Sequence, residues 1–191
     1  MQRESIMGGH HLILGKLTDF ISGETLDDTL DERHRQKIAR LLVDQKGYRK
    51  TDITPRHELK IDVDDRCARL QISYTVILGR SIAMVLHYGP GSLVTRHRPI
   101  LAMSRLVQAR QVPLAVVTNG EDADILNGAS GNVIATGLNQ IPTKTQLSDI
   151  VAARQWPEVP PKRREMESRI LMAFEIDGRC PCDDSVCTIV E

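Results

Sequence analysis

From Asp31 onward, Ile38, Leu41 and Leu42 recur at the spacing of one helix face among Arg33, Arg35, Lys37 and Arg40, and Gly47 follows as a stop. The pattern predicts an amphipathic helix with Asp31 as its N-cap. Beyond Gly47 the apolar period falls to two. Leu59, Ile61 and Val63 alternate with charged residues, Asp64, Asp65 and Arg66 turn the chain, and Ala68, Leu70, Ile72, Tyr74 and Val76 begin a second strand. This reads as a hairpin. After a turn at Gly79 and Arg80, residues 82–88 are nearly all apolar, the pattern of a central strand covered on both faces. Residues 99–111 follow with helical periodicity in Ile100, Met103, Leu106 and Val107, then a short buried strand at 113–118 and a shorter one at 124–126. Residues 147–155 predict a third helix, the three prolines within 157–161 a boundary, and 162–174 a charged helix.

These elements divide the chain into an arm at 1–30 carrying short strands or turns, an α/β domain at 31–156, and a tail at 157–191 with a Pro-rich linker, a helix and cysteines. The order helix, strand, strand, strand, helix, strand predicts a mixed central sheet with a helix on each face.

Composition narrows the function classes. The 191 residues carry 25 basic and 25 acidic side chains, so a partner held by bulk charge is excluded and any charged surface must come from local clustering. No apolar run is long enough to span a bilayer, and the first residues lack the pattern of a signal peptide, so the chain is expected to be soluble and cytoplasmic, with no membrane partner. Aromatic residues are only 3% of the chain, which argues against a stacking platform for single-stranded nucleic acid.

The opening helix "ERHRQKIARLLVDQKGY", the three-strand meander and the stretch "VPLAVVTNGEDADIL" resemble the N-terminal nuclease domain of type I restriction enzyme R subunits, part of the PD-(D/E)XK, or restriction-endonuclease-like, superfamily. The resemblance covers residues from about 31 to 129 and implies a restriction-endonuclease-like core. In that family an Asp on the second strand and a Glu-x-Lys on the third hold a divalent cation and orient the attacking water. Here the resemblance puts Ser73 at the Asp, His87 or Leu86 at the Glu, and Gly89 or Tyr88 at the Lys. From Arg80 through Gly120 there is no Asp, Glu or Lys. No catalytic residue and no catalytic cofactor is therefore expected. A similar tripeptide, Glu58-Leu59-Lys60 with Asp52 before it, lies on the first strand, where alternate charges make a solvated face; it would serve only a nuclease with relocated ligands. Glu32 matches a helix acid that assists metal binding in some relatives, and it also suits a helix N-terminus.

The acid-free stretch holds Arg80, Arg96, Arg98, Arg105 and Arg110. Its centre, "GPGSLVTRHRP", sets Ser92, Thr95, Arg96, His97 and Arg98 directly before a helix, where backbone N-H groups and the dipole favour an anion. These residues and Arg105 form the candidate nucleic-acid or anion site. The bland alternative is a strand-to-helix turn with arginines solvated or paired to Asp62, Asp64 and Asp65. Ser73 with His87 offers a nucleophile and a base but no third partner. His10 and His11 are adjacent and diverge on a strand, which makes them poor joint metal ligands.

Near the C-terminus Cys180, Cys182 and Cys187 gather three soft ligands in one loop. They are compatible with zinc, for which a fourth ligand is needed, with a disulfide or redox pair, and with free thiols. Two function classes follow. One is a non-catalytic, nuclease-like domain that binds DNA or RNA through phosphates, or another anionic partner, in a restriction-modification or DNA-related regulatory role. The other is a metal- or redox-responsive interaction protein working through the cysteine loop. A homodimer is compatible with either.

Overall fold

A computed structural model describes residues 12–153, 155–177 and 187–190 of the chain. Among the described residues nine strands and four α-helices follow in order: β1 (Lys16–Thr18), β2 (Thr25–Asp27), α1 (Leu30–Arg40), β3 (Ile53–Val63), β4 (Arg66–Leu78), β5 (Ser81–Tyr88), α2 (His97–Leu106), β6 (Leu114–Thr118), β7 (Ala123–Asn127), β8 (Val133–Thr136), α3 (Lys144–Ala152), α4 (Pro161–Leu171) and β9 (Cys187–Val190). The expected helix, strand, strand, strand, helix, strand order is present from α1 to β6.

The main sheet has the order β3-β4-β5-β6-β7-β8, and β9 pairs with β4. Among the described strands β5 and β6, joined across α2, pair in parallel and the other neighbours antiparallel, so the sheet is mixed. β5 and β6 are buried on both faces, as the continuous apolar run in β5 requires. One face packs on α2 and α4 through Ile72, Val85, Ile100, Met103 and Leu171. The other packs on α1 and α3 through Tyr74, Met84, Leu86, Ile38, Leu42 and Leu147. Each face thus carries two helices.

Several boundaries differ from the sequence pattern for local reasons. Thr29, not Asp31, caps α1, its hydroxyl accepting the Glu32 N-H at 3.1 Å; Asp31 is left in the first turn beside the positive end of the dipole. α2 starts at His97 and ends at Leu106, and α3 starts at a capping box formed by Thr143 and Gln146. β3 begins at Ile53, well before Leu59. Pro55 and Arg56 hide its alternation, and Arg56 has φ 48, a left-handed backbone that interrupts the ladder opposite Ser73. β8 and β9 carry no strong pattern of their own.

The described residues ahead of α1 fold back onto α1 and β3. β1 and β2 form a hairpin, and Asp19 in its turn is 1% exposed. Its carboxylate accepts from the N-H groups of Ile21 and Ser22, from Gln36 Nε2 at 2.9 Å and from Arg56 Nη1 at 2.8 Å. Burial alone would raise the Asp19 pKa, but the Ser22, Arg56 and Gln36 donors outweigh it and hold it at about 2. Among the described residues no helix is long and apolar enough to cross a membrane.

Candidate functional site

β4 is a long strand shared by two neighbours. Its C-terminal half pairs with β5 from Tyr74↔Leu86 to Leu78↔Ser81, and its N-terminal half pairs with β9 from Cys67↔Val190 to Leu70↔Cys187. The sheet forks between them, at Ser73. There the Tyr88 N-H donates to Ser73 Oγ at 3.0 Å, while the Ser73 N-H and hydroxyl meet His87 Nδ1 at 3.4 and 3.5 Å. Side chains have replaced the ladder.

α1 closes the fork from one side. Tyr88 OH donates to Asp31 at 2.9 Å, the His34 ring stacks on Tyr88 with centroids 5.6 Å apart, and the Arg35 guanidinium lies 5.3 Å from the Tyr88 ring centre. Gly120, at the end of β6, admits this packing: its φ is +89, and a Cβ there would stand 2.3 Å from His34 Nδ1. Lys37 donates to the Gly120 carbonyl at 2.9 Å. Burial pushes the His87 pKa down to about 3, and Arg35 and Arg96 add to the shift, so the imidazole is neutral at pH 7.

The positions that the resemblance assigns to metal chemistry therefore meet at the fork, but with other groups. Ser73 and His87 are in contact, Leu86 is buried in the apolar cluster under α1, and Tyr88 binds Asp31. Among the described residues no carboxylate is hydrogen-bonded to His87, so Ser73 and His87 lack the third member of a triad. Glu32 is buried and engaged by Gln36 Nε2 at 2.8 Å and Arg35 at 3.2 Å. Asp52 is held by Lys144 at 2.7 Å and by Arg49. Burial would raise its pKa, but these partners hold it at about 2. Glu58 stands exposed beside Arg69, separated from Asp52 by roughly 15 Å or more of extended strand, too far for one cation. Among the described residues no group of three or more His, Cys, Asp or Glu side chains is arranged to hold a metal.

The candidate anion residues do not form one open site. Ser92 and Thr95 are exposed, and the Thr95 hydroxyl donates to the Ser92 carbonyl. Arg96 packs on Gly89 and pairs with Glu175 at 3.6 Å. His97 Nε2 lies 2.7 Å from Asp124. Arg98 and the buried Arg105 both grip Glu167, at 2.6 and 2.8 Å, and Arg163 joins them at 2.6 Å. Arg105 also donates to the carbonyls of Gly128 and Ala129. The acidic partners of Arg96, Arg98 and Arg105 are thus on α4 and the segment after it, not Asp62, Asp64 and Asp65.

Cys180, Cys182, His10 and His11 lie outside the described residues. Cys187 opens β9 opposite Leu70, while Cys67 faces Val190 across the same ladder. Three register steps, roughly 10 Å of strand, separate the two cysteines, beyond the Cα reach of a disulfide. Cys67 is free, and Asp62 beside it pushes its thiol pKa up, away from the thiolate that a metal requires.

The mixed sheet, its flanking helices and the fork between β4 and β5 are compatible with a nuclease-like core. The family described as the type I restriction enzyme R protein N terminus matches residues 30–142, more than half of the chain, and the chain belongs to that family. Comparisons with curated proteins and with solved structures gave no match.

Proposed function

We propose that this chain is a non-cleaving member of its family that binds nucleic acid through phosphate contacts in a DNA-related restriction-modification role. The observation that carries the proposal is the composition of the fork. Where hydrolysis needs carboxylates around a divalent cation, this chain has Ser73, Leu86 and Tyr88, with His87 kept neutral by burial and, to a smaller extent, by the charges of Arg35 and Arg96. Arg35 is paired with Glu32 at 3.2 Å, which leaves Arg96, in a longer 3.6 Å contact with Glu175, as the guanidinium that a phosphodiester can draw on. At the fork's rim the half-buried Arg96, whose 3.6 Å contact with Glu175 is longer than the pairs of its neighbours, offers phosphate donors with the exposed Ser92 and Thr95. Arg98, Arg105 and His97 are held by acids of the same chain and have structural work.

The test is a fluorescence-anisotropy titration of labelled duplex DNA at two salt concentrations, with and without Mg or Mn. The expected result is salt-sensitive binding, weakened by Arg96→Ala, with the strand left uncut. Metal-dependent cleavage abolished by Glu58→Ala would overturn the proposal, and so would an absence of binding at low salt.

A further inference from the structure

Arg98 and Arg105 are neutralised by Glu167 inside the fold, whereas other cations of the chain are not. Lys37, Arg40 and Lys50 make no ion pair with any carboxylate of the described chain. Lys37 donates to the Gly120 carbonyl, and Arg40 and Lys50 both lie against the Phe20 ring, 4.5 and 3.9 Å from its centre. Three unneutralised charges thus run from the fork, where Lys37 touches the end of β6, along the C-terminal half of α1 to the turn before β3. Two of them converge on one aromatic ring, an arrangement that carries repulsion and that an anion relieves.

The surroundings extend the stripe. A groove of about 640 Å³ lies between the β1-β2 hairpin and α1, with Leu17, Ile38 and Leu138 in its lining and Lys37 and Arg40 beside them. Arg33, on the same helix face, is already bound by Asp28 through two hydrogen bonds at 2.6 and 2.7 Å. Asp44 is the acid in the groove, and no ion pair joins it to Arg40. With a formal net charge of zero over the whole chain, an uncompensated run of this kind is a local feature and not a general basic surface.

We infer that the Lys37-Arg40-Lys50 stripe is the principal phosphate-contacting surface of this chain, and that its partner is duplex DNA lying along α1 and leading toward the fork. Lys37 and Arg40 are three residues apart and therefore neighbours on one face of α1, where both can meet the same phosphate backbone. The 3% aromatic content argues against an extended stacking surface for single strands. The inference rests on the nucleic-acid reading above and adds the surface to it.

The test uses the full chain and labelled duplex DNA over a salt series, comparing wild type with Lys37→Gln/Arg40→Gln/Lys50→Gln and with Asp44→Asn. Losing three phosphate contacts reduces the salt slope by about 2.7 and weakens binding on the order of 100-fold at 0.15 M salt. Asp44→Asn, at an exposed position, tightens binding several-fold and does not depend on the triple variant folding. Lys60→Gln/Arg80→Gln, at exposed cations elsewhere, leaves binding unchanged. If wild type binds and the triple variant, folded by circular dichroism, binds with the same slope, the stripe is wrong and the nucleic-acid reading survives. If wild type does not bind, both fall. Equal weakening by Lys60→Gln/Arg80→Gln also removes the stripe in favour of diffuse charge.

Discussion

Lowering the pH from 7.5 to 5 should destabilise this protein chiefly through His87. In the folded chain burial and the neighbouring Arg35 and Arg96 hold its pKa at about 3, whereas in the unfolded chain it takes the ordinary value near 6.5. Below pH 6.5 the unfolded state binds a proton that the folded state refuses, so folding stability rises with pH in this window and falls as acid is added. At 1.36 kcal/mol per unit, the 1.5 units between 6.5 and 5 amount to about 2 kcal/mol. His57, whose pKa burial also lowers, acts in the same direction. The buried acids do not interfere, because Asp19 and Asp52, both held at about 2, begin to lose stability only below about pH 4. The assay is urea unfolding at pH 7.5 and 5 for wild type and His87→Asn, which keeps an acceptor for the Ser73 N-H. Wild type should lose about 2 kcal/mol more than the variant across that interval, whatever the variant's absolute stability. Equal pH slopes in the two proteins would refute the reading of His87 as a buried neutral base.

Two further outcomes follow from buried carboxylates. Glu167→Gln leaves the buried Arg105 without its counter-charge and should cost about 3–5 kcal/mol in urea unfolding, while Glu58→Gln, which breaks an exposed pair with Arg69, should cost less than about 1 kcal/mol; similar values for the two would contradict the structural role of Glu167. Asp19→Asn should cost about 2 kcal/mol at pH 7, a loss that wild type itself shows only as pH falls from about 4 to 2, and should speed amide hydrogen exchange across β1 and β2; unchanged exchange there would mean that Asp19 does not fasten the hairpin.

Much of the core was legible from periodicity alone. The helical spacing of Ile38, Leu41 and Leu42, the alternation in Leu59, Ile61 and Val63, and the apolar run of β5 each encode which face of an element is buried, and that information is local. The absence of Asp, Glu and Lys between Arg80 and Gly120 is likewise a property of the sequence, and it bears directly on what chemistry the fork can hold. Missed elements had weak local signals: the Pro55-Arg56 step concealed the first half of β3, and four-residue strands such as β8 and β9 have too few positions to show a period.

The pairing of charges lay beyond reach, because it depends on which elements cross. Arg105 meets Glu167 across 62 positions only because α4 lies over α2, and Arg56 meets Asp19 across 37 only because the hairpin folds back on α1 and β3. Local sequence made the segment from Arg96 to Arg105 look like a cationic site; the fold tied Arg98 and Arg105 to Glu167 and, among the described residues, left Lys37, Arg40 and Lys50 without an ion-pairing acid. Sequence thus determined the architecture and the residues at the fork, through the burial preference of each side chain. Tertiary structure decided which charges remain available to a partner, since an ion pair requires a separation of a few ångströms that no local pattern records.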